Sequence, residues 1–432
     1  MPEKECFMSE IKSVFAREIL DSRGNPTVEV ELETAKGVFG RASVPAGASK
    51  GVREAAELRD DDKKRFRGKG VLQAVENVEE LIAPEICGMD VCDQCGVDQE
   101  MIDLDGTPDK SRLGANAILA VSLACARAAA QELDLPLYRY LGGTNARLLP
   151  VPMFNIFNGG LHSGAAVACQ EFMLRCGGAE SFPQAVAMAR EVIAVLKELL
   201  AAQGLSTAVG DEGGFAPGNF KGGTKAVLEL LLSAVSKAGL TPGKEISIAV
   251  DMASGSFFKD GIYDYSLFEE EGQKFTADEQ IAFLAALTEN YFVDSIEDGL
   301  AEDQWADWAT LTSSLGSRCQ LVGDDLFVTN PELLRKGIKE HCANAILLKP
   351  NQIGTLTECC NTAFIARQHG YKTIVSHRSG ETCDSFIADL AVALNAGQIK
   401  AGSLNRSERL AKYNQLLRIA EQLGDTALYG TF

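Results

Sequence analysis

The sequence between residues 291 and 378 reads, in turn, YFVDSIED (291–298), QLVGDD (320–325), AILLKP (345–350) and KTIVSHR (372–378). Each of these is a short apolar run that ends abruptly in charged residues. The end residues from Glu297 to Lys400 are spaced by about 23–28 positions, enough for one strand, one helix and two short loops. Repeated units of this kind predict parallel strands, because parallel strands need a crossover connection. Six or more such units indicate a closed α/β barrel.

The same pattern extends to both sides of this stretch, since ISIAVD ends at Asp251 and GQIK ends at Lys400. Catalytic groups of α/β barrels lie at the C-terminal ends of the strands, so these distant residues are predicted to converge around one mouth. An open, doubly wound sheet is the alternative. It predicts a Gly-rich phosphate loop after the first strand, and no G-x-G-x-x-G or Walker pattern is evident.

The first part of the chain has a different pattern of apolar and polar residues. Residues 11–45 read as strands, and TVEVELET (27–34) alternates apolar and polar residues as a half-buried antiparallel strand does. From about Gly70 the pattern becomes helical, and residues 115–132 predict a buried helix. The sequence therefore predicts a smaller α+β unit before the barrel.

The predicted domain boundary lies where LDLPLYRYLGG (133–143) closes the helical part. We expect an N-terminal α+β domain over residues 1–143, with 1–8 as a loose extension. The C-terminal α/β barrel, the catalytic domain, is expected over residues 144–432.

The net charge of −19 excludes some classes of partner. Nucleic acids and anionic membrane surfaces need clustered Lys and Arg, so neither is expected. An anionic substrate stays compatible, because a bound cation can invert the sign of a local site. No run of about 18 apolar residues exists, so no membrane span is predicted.

The cysteines and the N-terminal segment indicate the cellular compartment in which the protein is expected. Twelve cysteines are scattered, and only Cys92 and Cys95 have CxxC spacing, without the second pair that zinc would need. Reduced, mostly buried thiols in a reducing compartment are predicted. MPEKECFMSE has no apolar signal-peptide core. A cytoplasmic location is expected, and an additional cell-surface or secreted pool without a signal peptide stays open.

Three acids stand at predicted strand ends, Asp251, Glu297 and Asp324. Carboxylates gathered at one mouth raise each other's pKa unless a cation neutralises them. Oxygen-only ligation favours Mg²⁺ over zinc. The alternative is that each acid only forms a salt bridge or caps a helix.

Two lysines, Lys349 and Lys400, end the runs AILL and QI. A lysine at the end of a buried strand loses water, which is expected to lower its pKa towards that of a usable base. Beside metal-binding acids this predicts proton abstraction, with the metal stabilising the enolate. The alternatives are that the lysines only pair with the acids, or that one forms a Schiff base.

Four loops carry further candidates. In SHRSG (376–380), Arg378 can hold a phosphate or carboxylate with two parallel hydrogen bonds. In GDEGGFAP (210–217), Glu212 is a candidate general acid. NGGLHSG (158–164) offers a mobile histidine, His162, and VPAGASKG (44–51) is a candidate lid.

The sequence resembles the enolase family from about residue 11 to 420. The motifs that carry the resemblance, in family order, are SRGNPTVEVEL, VPAGASKG, GANAILAVSLA, CQEFM, GDEGGFAP, SIED, GDDLFVTNP, LLKPNQIGT, SHRSGET and RSERLAKYNQLLRI. The resemblance implies a small α+β N-terminal domain and a barrel whose first units depart from strict βα alternation. IEDG, with Gly299, resembles the bacterial branch.

The resemblance also implies a reaction, the reversible Mg²⁺-dependent dehydration of 2-phosphoglycerate to phosphoenolpyruvate in glycolysis and gluconeogenesis. Lys349 would remove the C2 proton, and Glu212 would protonate the leaving 3-hydroxyl. Of two Mg²⁺ ions, the conformational one would be held by Asp251, Glu297 and Asp324.

The remaining implied roles belong to loop and strand-end residues. The residues with implied substrate-binding roles are Gln170, Ser49, His377, Arg378, Ser379 and Lys400. Catalytic roles are implied for His162, Glu171 and Lys400. Ser49 is also implied to contact the second, catalytic Mg²⁺. Family habit implies a homodimer or an octamer.

The sequence departs from the family pattern in the lid, at Ala46 and Lys50, and after His162, at Ser163 and Ala165. These departures bear on lid closure and substrate affinity more than on the type of reaction. Two alternatives stay open: another acid dehydratase or racemase of the enolase superfamily, and a non-catalytic, surface-binding relative.

Overall fold

The computed structural model describes residues 9–47 and 53–430. The predicted extension at residues 1–8 and the lid residues Ser49 and Lys50 lie outside the described residues. The division of the chain after residue 143 stays a prediction. No helix within the described ranges is both long and apolar enough to cross a membrane.

Three strands form an antiparallel sheet in the first part of the chain, β1 (Ile11–Leu20), β2 (Pro26–Thr34) and β3 (Phe39–Ser43), in the order β1-β2-β3. The turn before β2 is held by Asp21, whose Oδ1 accepts hydrogen bonds from the backbone N–H groups of Arg23 and Asn25 at 2.8 and 2.9 Å. Alternate residues of β2 are fully buried. The predicted half-buried strand is confirmed.

The helices of this part pack against one face of the sheet. Their bounds are α1 Leu72–Glu76, a π-helical turn Asn77–Ile82, α2 Ala83–Ile86, α3 Gln94–Asp105, α4 Ala115–Glu132 and α5 Leu137–Gly142. The predicted buried helix is confirmed as α4. It approaches β3 so closely that a Cβ on Gly40 would lie 2.1 Å from the carbonyl oxygen of Ala124, so only glycine fits there.

Eight strands close into a barrel. In chain order they are β5 Val151–Asn158, β6 Glu171–Arg175, β7 Ser247–Asp251, β11 Val293–Glu297, β12 Gln320–Gly323, β13 Ala345–Leu348, β14 Lys372–Ser376 and β15 Gly397–Lys400. Neighbouring strands are parallel, except that β6 is antiparallel to both β5 and β7. The predicted α/β barrel is confirmed, and so is the implied departure in its first units.

Helices surround the barrel, and short elements complete the chain. The helices are α6 Phe182–Ala202, α7 Gly223–Lys237, α8 Ala277–Asn290, α9 Trp305–Leu315, α10 Pro331–Glu340, α11 Pro350–Ile353, α12 Leu356–Gln368, α13 Phe386–Ala393 and α14 Ser407–Leu423. The short strands are β4 Leu148–Leu149, β8 Phe258–Lys259, β9 Ile262–Asp264, β10 Lys274–Phe275 and β16 Leu428–Tyr429. Asn330 caps α10, because its side chain accepts the N–H groups of Glu332 and Leu333.

The eleven cysteines of the described ranges are all free thiols, and six of them are buried. This agrees with the predicted reduced state. The barrel and its packed helices therefore form without a disulfide among these residues.

Candidate active site

The alternation of side chains along the barrel strands decides which residues reach the mouth. The barrel interior is filled by Met153, Met173, Ala249, Val322, Ala345, Leu347 and Ile374. Their strand neighbours Ile346 and Leu348 belong instead to the outer core. Successive side chains of a strand point to opposite faces, so every second residue points into the barrel. Asp251, Asp324 and Lys349 each stand two positions after a member of this interior cluster, which explains why these polar residues point into one mouth.

The mouth is a cavity of about 530 Å³. Its lining includes predicted residues from six strand ends and the connecting loops: His162, Gln170, Glu171, Glu212, Asp251, Asp324, Lys349, His377, Arg378, Ser379 and Lys400. Glu297 lies directly beside this lining, in contact with Lys400. The sequence-predicted residues are therefore brought together, apart from Ser49, which lies outside the described residues.

Lys400 is the centre of the acidic side of the mouth. Its Nζ lies 2.9 Å from both carboxylate oxygens of Glu297, 3.1 Å from Asp251 Oδ2 and 3.3 Å from Glu171 Oε2. Burial acts to lower the pKa of Lys400, but the charges of Asp251, Glu171 and Glu297 outweigh burial and raise it well above its ordinary value. Lys400 is therefore a fixed cation here.

Lys349 pairs with Asp324, and its Nζ donates to Asp324 Oδ2. The prediction that burial lowers the pKa of Lys349 is wrong for this structure. Burial does act in that direction, but the carboxylate of Asp324 outweighs it and raises the pKa. The backbone N–H of Lys349 donates to Thr329 Oγ1 at 2.9 Å, and Gln352 Nε2 donates to Asp324 Oδ1 at 2.9 Å, so the pair is held from both sides.

A cluster of carboxylates lies beside this pair, and the oxygens of Asp298, Asp324 and Asp325 are within 4.8 Å of one another. Asp298 accepts the backbone N–H groups of Asp324 and Asp325 at 3.0 and 2.9 Å, which fixes the end of β12. Burial and the charge of Asp324 raise the pKa of Asp325 to about 7. Burial and Asp251 raise the pKa of Glu297 well above its ordinary range.

This site carries more buried negative charge than its lysines neutralise. Asp251 and Asp324 line the mouth and Glu297 lies directly beside it, but in this structure Lys400 and Lys349 hold their oxygens. An acid excess with oxygen-only donors matches a hard divalent cation. The residues present therefore fit a metal such as Mg²⁺.

A second cluster of the mouth contains His162, Glu171 and Glu212, whose ligand atoms are within 4.8 Å of one another. Nδ1 of His162 lies 3.9 Å from both Glu171 Oε1 and Glu212 Oε1. Burial and the nearby charge of Glu212 raise the pKa of Glu171 well above its ordinary range. Burial also acts to raise the pKa of Glu212, but the neighbouring His377, His162, Arg409 and Lys400 outweigh it and hold that pKa low. The pKa values of these two neighbouring carboxyl groups are therefore shifted in opposite directions.

Glu212 is held in place by its loop. Asn155 Nδ2 donates to Glu212 Oε2 at 3.1 Å. The next residue, Gly213, has φ +88°, and a Cβ there would lie 2.5 Å from Asn405 Oδ1. Only glycine allows this turn, so the glycines of GDEGGFAP fix the backbone that presents the acid.

Two family profiles match the chain. The description "Enolase, N-terminal domain" matches residues 11–141, and "Enolase, C-terminal TIM barrel domain" matches residues 146–431. The chain belongs to the enolase family. Membership indicates a lyase of the hydratase type, whereas the resemblance to the bacterial branch stays a prediction.

Glu54 belongs to this enolase-family site and was not predicted from the sequence. Glu54 receives two hydrogen bonds from the guanidinium of Arg378, Nη1 to Oε2 at 2.9 Å and Nη2 to Oε1 at 3.1 Å. Asn351 Oδ1 also accepts from Arg378 Nη1, at 3.1 Å. The only signal in the sequence is that Glu54 follows the VPAGASKG loop. A carboxylate of the protein thus holds the guanidinium that was predicted to bind an anion.

The base of the predicted lid in this enolase-family chain is attached to the SHRSG loop. Ala46 and Gly380 exchange two backbone hydrogen bonds at 2.8 and 2.9 Å. Arg23 strengthens this contact, because its Nη1 donates to Ser379 Oγ at 3.2 Å and its Nη2 to the Ala46 carbonyl at 3.1 Å. Arg23 was not among the site residues predicted from the sequence. The first part of the chain therefore forms one wall of the mouth.

Proposed function

We propose that this chain is a phosphopyruvate hydratase, which interconverts 2-phosphoglycerate and phosphoenolpyruvate in the cytoplasm, as a homodimer or an octamer. The observation that carries the proposal is the composition of one mouth. A strand-end lysine, two neighbouring carboxyl groups whose pKa values are shifted in opposite directions, and an arginine suited to binding an anion line the same cavity. Enolase-family membership supports this assignment over other chemistry that such groups could perform.

Lys349 is the proposed base for the C2 proton of 2-phosphoglycerate. An amine accepts a proton only when it is neutral. In the proposed reaction Asp324 must therefore give up its ion pair with Lys349. Without that pair, burial and the charges of Arg378 and Lys400 act to lower the pKa of Lys349, and Glu297 opposes them.

Glu212 is the proposed acid for the leaving 3-hydroxyl, with Glu171 as the neighbouring carboxyl group. Both carboxyl groups lie 3.9 Å from Nδ1 of His162. Lys400 keeps its charge and stabilises the negative charge that develops on the substrate carboxylate.

Asp251, Glu297 and Asp324 are the proposed ligands of one Mg²⁺, and Ser49, outside the described residues, is the proposed contact of a second. When bound, the metal supplies positive charge next to the substrate carboxylate. The acid excess of the mouth supports this assignment.

Arg378, Ser379 and His377 are the proposed phosphate-binding groups, with Gln170 as a further substrate contact. A phosphate held by Arg378 through two parallel hydrogen bonds takes the position that Glu54 has now. Substrate binding is therefore an exchange of one anion for another at Arg378.

The substrate range separates this proposal from its alternatives. Offered 2-phosphoglycerate, unphosphorylated glycerate and a set of sugar acids at saturating Mg²⁺, the chain should turn over only 2-phosphoglycerate, because only that substrate places a phosphate on Arg378. Product formation is followed by ultraviolet absorbance and by mass spectrometry. Turnover of a sugar acid with 2-phosphoglycerate inert would show another reaction of the superfamily. A folded chain inert towards all of them would show a non-catalytic relative.

A further inference from the structure

Arg409, in the first turn of α14, reaches back into the active site and connects two of its loops. Its side chain is fully buried. Its guanidinium donates to the carbonyls of Arg378 and Ser379, each at 2.6 Å, and to the carbonyl of Asp211 at 3.1 Å. One side chain therefore ties the SHRSG loop to the loop that carries Glu212.

The fourth contact of this guanidinium has a chemical consequence. Nη1 of Arg409 lies 2.5 Å from Nδ1 of His377. A guanidinium offers only N–H donors and stays protonated, so the nitrogen that it contacts must be an acceptor. Nδ1 of His377 therefore carries no proton. An imidazolium is excluded as well, because both of its nitrogens are donors.

The opposite ring nitrogen faces the proposed acid. Nε2 of His377 lies 3.6 Å from Glu212 Oε2. In the neutral imidazole that Arg409 enforces, this nitrogen carries the hydrogen. His377 is buried, and its backbone N–H donates to the Lys400 carbonyl at 2.9 Å, which fixes the position of the ring. That N–H therefore lies beside the carboxylate that Glu212 becomes after it has given up its proton, at a distance that allows an electrostatic interaction but is longer than a hydrogen bond.

We propose that Arg409 is a positioning residue that fixes His377 as the neutral Nε2–H tautomer and directs that N–H at Glu212. The tautomer follows from the geometry alone, whereas the benefit to catalysis rests on the proposed function. A donor aimed at a carboxylate stabilises its charged form, so this arrangement assists the step in which Glu212 loses its proton. Arg409 itself touches no reacting group.

The tautomer can be read directly by NMR, because the chain has only four histidines. In protein labelled with ¹⁵N-histidine, long-range ¹H–¹⁵N correlations distinguish Nε2–H from Nδ1–H rings, and a His377→Asn variant assigns the signals. We expect His377 to show the Nε2–H pattern in the unaltered chain. An Nδ1–H pattern or an imidazolium would overturn the proposal. This reading does not depend on whether 2-phosphoglycerate is the substrate.

Substitution of Arg409 tests the positioning role. Arg409→Met keeps an apolar stem but removes every donor, so His377 should populate both tautomers, and kcat should fall about 10–100-fold with a smaller change in KM. Arg409→Lys should restore the Nε2–H tautomer and part of kcat. The matched control is Arg127→Met, which removes a largely buried arginine paired with Asp384, away from the mouth. It should leave the His377 signals unchanged.

An unchanged His377 spectrum in Arg409→Met would overturn the role of Arg409. A loss of kcat in the Arg127→Met control equal to that in Arg409→Met would overturn it as well. Should Arg409→Met fail to fold, the spectrum of the unaltered chain still decides the tautomer, and Arg409→Lys still decides the role of the guanidinium.

Discussion

Lys349→Ala should abolish exchange of the C2 proton of 2-phosphoglycerate with solvent, whereas Glu212→Gln should spare that exchange and stop dehydration. The reason is that the two side chains serve different steps. Lys349 ends β13 beside Asp324, and Glu212 lies in a loop beside Glu171 and His162. Removing the base prevents the first proton transfer, while removing the acid leaves the carbanion formed but unable to expel hydroxide.

Both effects should be large. A positioned general acid or base contributes typically about 10²–10⁴-fold, so phosphoenolpyruvate formation should fall by at least that factor in either variant. Deuterium incorporation at C2, measured by NMR in heavy water, reports the first step. Ultraviolet absorbance of phosphoenolpyruvate reports the complete reaction.

The matched control for the lysine is Lys110→Ala. Lys110 is also buried and paired with a carboxylate, since its Nζ lies 3.0 Å from Glu358, but it is remote from the mouth. This variant should keep both exchange and dehydration. If Glu212→Gln lost exchange while Lys349→Ala retained it, the acid and the base would have to be interchanged.

Glu297→Gln should weaken the binding of Mg²⁺ and nearly abolish turnover. The substitution keeps the size of the side chain but removes one of three carboxylates proposed to hold the metal. A metal contributes several kcal/mol of charge stabilisation in the transition state, and each 1.36 kcal/mol is tenfold in rate. We therefore expect turnover to fall roughly 10²–10³-fold, and the Mg²⁺ concentration at half-maximal activity to rise.

A metal titration of activity measures both effects. Glu358→Gln is the control, because it removes an acid that pairs with Lys110 outside the mouth, and it should leave the titration unchanged. If Glu297→Gln titrated like the unaltered chain, then Glu297 would only neutralise Lys400, which is the pairing alternative for these acids.

The strand ends could be predicted from the sequence because their signal is local. Apolar runs that stop at a charged residue mark both the strand and its end, and the period of two then sends Asp251, Asp324 and Lys349 into the barrel mouth. The pKa of Lys349 could not be predicted in the same way. Its direction depends on which carboxylate the Nζ contacts, and the sequence does not specify that pairing.

Local sequence patterns do not indicate long-range contacts, such as those of Glu54, Arg23 and Arg409. Glu54 pairs with a residue 324 positions away, and Arg23 donates to one 356 positions away. Arg409 stands in a helix rather than at a strand end, and only the packing of α14 against the barrel directs its guanidinium into the site. Contacts of this kind follow from the tertiary structure and have no periodic signature.

The central claim is that this mouth dehydrates 2-phosphoglycerate with the help of a divalent cation. The most direct measurement is the ultraviolet absorbance of phosphoenolpyruvate after 2-phosphoglycerate is added to the chelator-treated, folded chain, before and after Mg²⁺ is restored. The account predicts no absorbance change without the metal and steady growth once it is present. No growth at saturating Mg²⁺, or equal growth without any metal, would contradict it.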